Sequence, residues 1–551
     1  MTISGRAKLA AGFSVGALLL TGCGGGGDTD QPEGGGSRSV TVHANSANSF
    51  QENFNPYSPT ANIGIKGMVY EPLIAYSPMN PGEGTPWLAE SMEFNADGTV
   101  VTLKLREGVT WSDGEAFDAD DVVFTFEMMR DEPAVNTGAL PIVSAVAKDE
   151  LTVEVTFATP VFALEPTIGN VITVPEHVFS TESPTEFLNT DPVGTGPFTL
   201  GEFSGQLYTF VKNDAYWNAD EIKVEEVRYP ASTTQTFNTS LQNGEFDWSG
   251  GFVANIDEIF VSKDPEHNHY WYPGEGLVNL LVNHQTKPFD DVDLRQAISL
   301  AVDREQLSTT AMQGYTPPAH PTGLPLPAFE SFMDPEYADA EFERNVDDAN
   351  ALLDQAGYAK GSDGIRVSPD GQRLSWDLTV PSDYVDWVSI SKLLQEQLAE
   401  VGIEVKPQGV SFQSWVDARA AGTYSLTITG ATAGSSPYFM YKSFMSSEYE
   451  QPAGTNVIAN YNRWSDPETD AFLAEYAATS DQEARQEAIA GLEQIMVDEL
   501  PVIPLLQSPN WFQYRTENWE GWPTEDDPYA LPAPYQFPDS LLVISKLRPA
   551  G

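Results

Sequence analysis

Residues 99–129 change hydrophobic period once, and that change limits the folds open to the chain. "TVVTLKLREGVTW" sets Val101, Leu103 and Leu105 on one face and Thr102, Lys104 and Arg106 on the other. A period of two over this length predicts a strand with one buried face. "SDG" then supplies a turn, and "DADDVVFTFEMM" opens with carboxylates, which suit the positive end of a helix. In "DVDLRQAISLAVDRE", Leu294, Ala297, Ile298, Ala301 and Val302 fall at helical spacing and predict an amphipathic helix. "WVSISKLLQEQLAEVGIEVKP" predicts a helix, a C-cap at Gly402 and a strand over 403–405. Ser480 with Glu483 forms a capping-box pattern before a helix carrying Ile489, Leu492, Ile495 and Met496. Strands and helices mix throughout with no internal repeat, so the fold class is α/β.

At 551 residues the chain can build more than one lobe with sizeable cores. Its hydrophobic fraction of 41% is that of a globular protein. Charge is lopsided: 28 Lys+Arg oppose 80 Asp+Glu, a net −52. Such a surface repels nucleic-acid phosphates and anionic headgroups, so neither is an expected partner. The excess reads as a solvated surface suited to salty or alkaline surroundings.

The sole cysteine, Cys23, is placed informatively. Arg6 and Lys8 precede an apolar run over 9–20 that is too short to span a bilayer, as in a signal peptide. "LTGC" matches the bacterial lipobox, whose cysteine becomes a lipidated N-terminus held by two acyl chains. A plain secretory signal with a chance cysteine is the alternative. Residues 24–37, "GGGGDTDQPEGGGS", read as a flexible tether. The expected location is the outer face of the cytoplasmic membrane, with the lipid as the only membrane contact. "GFSVG" at 12–16 fits a nucleophile-elbow pattern but lies inside the signal segment, where no strand–turn–helix can surround it.

Over nearly the whole mature chain the sequence resembles the family 5 extracytoplasmic solute-binding proteins of ABC importers. The carriers are "FNPY" (54–57), "VYEPLIAY" (69–76), "PWLAESMEF" (86–94) and "LKLREGVTWSDGEAFDADDVVFTFE" (103–127), in that order. "VGTGPF" (193–198), "NDAYW" (213–217), "KPFDDVDLRQAISLAVDRE" (287–305) and "YNRWSDPETDAFL" (461–473) follow. The resemblance implies a bilobal, type II periplasmic-binding-protein-like fold with an extra subdomain and a ligand cleft between hinged lobes. It would place lobe 1 at 38–70, 190–272 and 500–551, the extra subdomain at 71–189 and lobe 2 at 273–499. It also implies a monomeric binder without cofactor or catalysis, whose closed state is read by an ABC permease with cytoplasmic ATPases.

The family takes peptides, nickel complexes and oligosaccharides. A buried peptide α-ammonium needs a compensating carboxylate. Peptide-binding relatives place an aspartate ahead of the "YNRWSDPE" block, yet residues 424–447 here carry none. "GEFDWSGGFVANID", "HYWYPGEGLVNLLVN", "GYTPPAHPTGLP" and "WEGWPTEDDPYALP" resemble the cello- and chito-oligosaccharide-binding branch. A short oligosaccharide is therefore the expected ligand, with an oligopeptide as the alternative. The candidate ligand residues are Asn55, Tyr57, Trp248, Trp271, Asn279, Asn283, Trp511, Trp519 and Trp522. Core packing is the competing role for the tryptophans, and structural hydrogen bonding for the asparagines.

Other chemistry is weakly signalled. His267, His269 and His284 lack a fourth donor at metal-ligand spacing and read as exposed loop residues. "FDDVD" and "DADD" read as helix N-termini, since they lack the calcium-loop spacing. "GTGPF" is broken as a dinucleotide fingerprint by Pro197. A glycoside hydrolase is the enzymatic alternative, but no carboxylate pair is identifiable for it.

Overall fold

The computed structural model describes residues 38–551 apart from 46, 433 and 435. The expected signal segment, Cys23 and the tether lie outside the described residues.

A seven-stranded sheet organises the first lobe. Its order is Asn268–Tyr270, Gln513–Arg515, Trp248–Ser249, Ser39–His43, Glu226–Pro230, Leu207–Lys212 and Phe198–Ser204. Ser39–His43 runs parallel to both of its neighbours and is covered on both sides, with Val40 and Val42 essentially inaccessible. The tail adds the helix Asp539–Lys546, whose Leu541, Val543 and Ile544 join the same core.

An antiparallel sheet, ordered Ala89–Phe94, Val100–Leu105, Thr152–Phe157 and Ile142–Asp149, forms an appended unit. Here the predicted period change occurs as read. Val101, Leu103 and Leu105 are buried on one face of their strand, and the helix Ala119–Asp131 packs across the sheet. Asp118 caps that helix by accepting from the Asp120 N–H at 2.9 Å. Asp121, one of the acidic residues of the first turn, accepts from Trp111 Nε1 at 2.9 Å and so ties the helix to the turn that precedes it.

The second lobe is built on five strands ordered Glu404–Val410, Ser375–Pro381, Leu426–Thr432, Gly274–Val282 and Ile503–Pro509. Val278, Leu280 and Val282 pack with the helices Val292–Ala301 and Val385–Glu400. Leu277 and Leu281 face the opposite side, against Tyr441, Met445, Leu492 and Met496. A strand buried on both faces explains the run "LVNLLV", apolar at every position but Asn279.

Three expectations need correction. The helix Gln482–Glu499 is capped by Asp481, which accepts from the Ala484 N–H at 2.9 Å, and Ser480 is not its cap. The strand after Gly402 runs Glu404–Val410, paired in parallel with Ser375–Pro381 over its full length. The return to the first lobe comes later than residue 500, because Ile503–Pro509 pairs with Gly274–Val282 and buries Ile503, Leu505 and Leu506 in the second lobe. Only at Gln513–Arg515 does the chain rejoin the first sheet. No helix among the described residues is long and apolar enough to cross a membrane.

Candidate ligand site between the lobes

The chain passes between the two sheets at 271–273 and again at 510–512, and these crossings lie side by side. Trp271 N donates to Phe512 O at 3.1 Å, and Asn510 N donates to Pro273 O at 2.8 Å. Asn510 Nδ2 also reaches the Glu275 carboxylate, which Gln536 Nε2 approaches from the tail. Burial of Glu275 pushes its pKa up to about 7.

A cavity of about 440 Å³ opens beside these crossings, with walls from both lobes. His43, Phe237 and residues 250–252 come from the first lobe. Val278, Met312 and residues 383–387 come from the second. Glu275, Pro509 and Trp511 close the hinge side, and Tyr535 reaches in from the tail. The placement follows from topology. Ser39–His43 and Trp248–Ser249 are parallel neighbours whose carboxyl ends lead into the cavity, and Ser375–Pro381 delivers 383–387 from the other side. Ligands in open parallel sheets bind outside the carboxyl ends of strands for this reason.

Aromatic rings dominate the walls. Trp511 meets Phe252 and Tyr272 edge-on, at centroid separations of 5.3 and 4.7 Å. Trp387 packs against Tyr384 at 5.1 Å and against Trp415 at 5.9 Å. The titratable lining is acidic apart from His43: Glu275, Asp383 and Asp386, the last with its pKa raised by burial. Among the described residues no lysine or arginine lines the cavity. A ligand carboxylate would meet three carboxyls and no cation. A neutral ligand with flat apolar faces and hydroxyl edges fits the lining better.

A second interlobe cavity, of about 390 Å³, lies between the appended unit and the second lobe, with Phe162, Glu165, Ser436 and Arg485 in its wall. Contact across this gap includes Ala163, which joins the second lobe's core cluster. The carboxylate-free segment lies between the two cavities. A Cβ on Gly430 would stand 3.6 Å from the Trp387 ring, and Ser436 lines the second cavity.

Of the residues expected at the site, Trp511 alone lines the hinge-side cavity. Trp248 is fully buried, with Nε1 donating to Pro532 O at 2.7 Å. Trp519 is fully buried and donates to Ser39 O at 3.2 Å. Trp522 is 5% exposed, donates to Trp519 O at 3.0 Å and packs on Trp248. These three indoles are core, because each finds a backbone carbonyl and surrounding apolar contacts in the first lobe. Trp271 is partly buried against that same core within the crossing.

Asn55 knits two loops, with Nδ2 donating to Pro184 O and Phe187 O, both at 2.8 Å. Tyr57 donates to Ile172 O and borders a separate cavity of about 280 Å³. Asn283 Nδ2 bonds Gly422 O and Tyr424 O within the second lobe. Asn279 is fully buried in the second sheet, with both side-chain polar atoms unpartnered. His284 is not an exposed loop residue. It donates from Nε2 to Pro501 O at 2.8 Å, and burial lowers its pKa to about 3.

Sequence reasoning missed His43, Phe252, Glu275, Tyr384, Trp387 and Tyr535. Three of them lay inside stretches already singled out: "DWSGGF" supplies Phe252, "PGEG" supplies Glu275 and "WVSISK" opens with Trp387. The bulkiest aromatic drew attention there, whereas the wall comes from residues just past the strand ends. Position after a parallel strand was the usable signal.

Comparison with known proteins agrees with the bilobal fold. The model of bacterial extracellular solute-binding proteins, family 5, matches residues 83–451. An oligopeptide-binding protein of Bacillus subtilis is 24% identical over 92% of this chain and 94% of its own length. A periplasmic oligopeptide-binding protein of Thermotoga maritima, 25% identical, superposes with a TM-score of 0.85 over 93% of this chain and 99% of its own. A Thermotoga maritima protein of the same description, solved with bound mannohexaose, is 26% identical and gives a TM-score of 0.78 over 93% and 98%.

Proposed function

The chain belongs to the bacterial extracellular solute-binding proteins of family 5, and from that premise we propose that it captures a short oligosaccharide between its lobes for an ABC permease. The observation that carries the ligand class is the interlobe cavity, with aromatic walls from both lobes and no described lysine or arginine. Aromatic faces cover the C–H faces of pyranoses, and carboxyls and the imidazole take the hydroxyls. The mannohexaose bound to the Thermotoga maritima protein supports this reading. Cys23 anchors the protein by lipid to the outer face of the membrane, residues 24–37 tether it, and it acts as a monomer. Lobe 1 takes 38–70, 190–272 and the tail from about 510, the extra subdomain 71–189, and lobe 2 the remainder. No bond of the ligand is broken, and no metal or cofactor takes part.

An oligopeptide is the second reading. Asp383, Asp386 and Glu275 supply the carboxyls that 424–447 lacks, so an α-ammonium would find a partner here. The absence of a described cation for the C-terminal carboxylate weighs against it.

A bound ligand raises stability by RT ln(1 + [L]/Kd), so melting curves separate the readings. Cello-, chito- and manno-oligosaccharides should raise the melting temperature, mixed di- to pentapeptides should not, and the sugar should be recovered intact. Stabilisation by peptides alone, or hydrolysis of the sugar, would contradict the proposal.

A further inference from the structure

His43 ends the central strand of the first-lobe sheet, and its imidazole lines the interlobe cavity. The residue is 3% exposed, and neither ring nitrogen makes a hydrogen bond of good geometry, although the Gly250 backbone lies close to the ring. The ring is held in place all the same. Phe237 stacks on it with centroids 4.1 Å apart and planes inclined by 20°, and Phe246 lies 5.3 Å away. Gly251 keeps that stack intact, since a Cβ there would stand 3.1 Å from the Phe237 ring. One face of the imidazole is engaged by the Phe237 stack, and its nitrogen-bearing edge carries no well-formed hydrogen bond.

Buried polar side chains in folded proteins are nearly always paired, and one left without a good partner beside a binding cavity calls for a group from outside the chain, whether water, ion or ligand. Burial lowers the pKa of His43 to about 4, so the ring is neutral at physiological pH. A neutral imidazole offers one N–H donor and one lone-pair acceptor. The indoles of Trp387 and Trp511 can only donate, and ionised carboxyls can only accept. A sugar hydroxyl both donates and accepts, and so it matches the imidazole edge. An ammonium offers donors alone, and a carboxylate acceptors alone.

We propose that His43 is a specificity-determining residue of the cleft, binding ligand hydroxyls through its ring edge while the Phe237 stack fixes the ring's orientation. This rests on the oligosaccharide reading above. His43 selects hydroxylated ligands at the floor of the first lobe, and the aromatic walls select flat rings regardless of their substituents.

Titration calorimetry with mannohexaose and cello-oligosaccharides tests it on wild type, His43→Phe and His43→Asn. Phenylalanine keeps the stack and removes both polar atoms, so affinity should fall about tenfold, the equivalent of one lost hydrogen bond. Asparagine restores a donor and an acceptor and should recover part of the loss. In parallel, the ring ¹⁵N resonances of wild-type His43, identified by their absence in His43→Asn, should shift on saturation with mannohexaose. The shift needs no folded Phe variant. Wild-type sugar binding left unchanged by His43→Phe, or an unmoved ¹⁵N signal at saturation, overturns this inference and leaves the oligosaccharide reading standing. Failure of the wild type to bind any oligosaccharide overturns both.

Discussion

Trp511 and Trp522 carry the same side chain eleven positions apart, and their surroundings give them opposite roles. Trp522 has its indole N–H satisfied by Trp519 O and lies in the first-lobe core, whereas Trp511 lines the cavity beside Phe252. Trp522→Ala should therefore destabilise the fold by about 3–5 kcal/mol and leave ligand affinity unchanged. Trp511→Ala should lose roughly 1–3 kcal/mol of oligosaccharide binding. Paired denaturation and titration curves check both, and a binding loss confined to Trp522→Ala would reverse the assignment. At this scale the sequence was least legible. "WEGWP" has neither helical nor strand period, which suggested exposed rings. The structure instead buries Trp519 beneath the edge pair with Arg548–Pro549 and seats Trp522 on Trp248. Those partners lie about 30 to 270 residues away along the chain, so no local pattern could announce them.

Elements were far more legible, since hydrophobic period is a local property. The 101–105 alternation, the helix that opens with carboxylates at Ala119–Asp131 and the helix Val292–Ala301 all occur where the pattern put them. The strand Ile503–Pro509 was assigned to the wrong lobe because a run buried on both faces fits either sheet, and only its pairing with Gly274–Val282 decides. The hinge also makes a pH prediction. Burial raises Glu275, Glu71 and Glu493 to about 7 and Asp539 to about 6. Unfolded, these groups titrate near ordinary carboxylate values, so up to pH 7 the folded state holds the extra protons. Their contribution is complete below the unfolded values and is lost as pH rises through about 7. His43 and His284, lowered to about 4 and about 3, act in the opposite sense, but only below the unfolded histidine value of 6.5. The interval from about pH 6.5 to 8 thus isolates the carboxyls. The urea midpoint should fall across it, and Glu275→Gln should flatten the fall. A midpoint that rises over this interval would contradict the assignment.

For the whole molecule, a net charge of −52 means that self-repulsion opposes the compact state. Raising NaCl to about 1 M shortens the screening length to roughly 3 Å and should raise the melting temperature without ligand. A salt-insensitive melting curve would show that the acidic surface exerts no net strain. Bilobal architecture was legible because family blocks run through the chain in order, whereas the site was not, because it forms only where two lobes meet. Its walls come from strand ends and from the helix start at Val385–Glu400, which are separate in sequence and joined only by the hinge. The central claim is that this cleft closes on an oligosaccharide, and tryptophan fluorescence reads ligand class and location together. Titration with mannohexaose or a cello-oligosaccharide should give a saturable emission change that disappears in a Trp387→Phe/Trp511→Phe variant, with no response to a mixed peptide library. A saturable response to peptides with none to any oligosaccharide would contradict it.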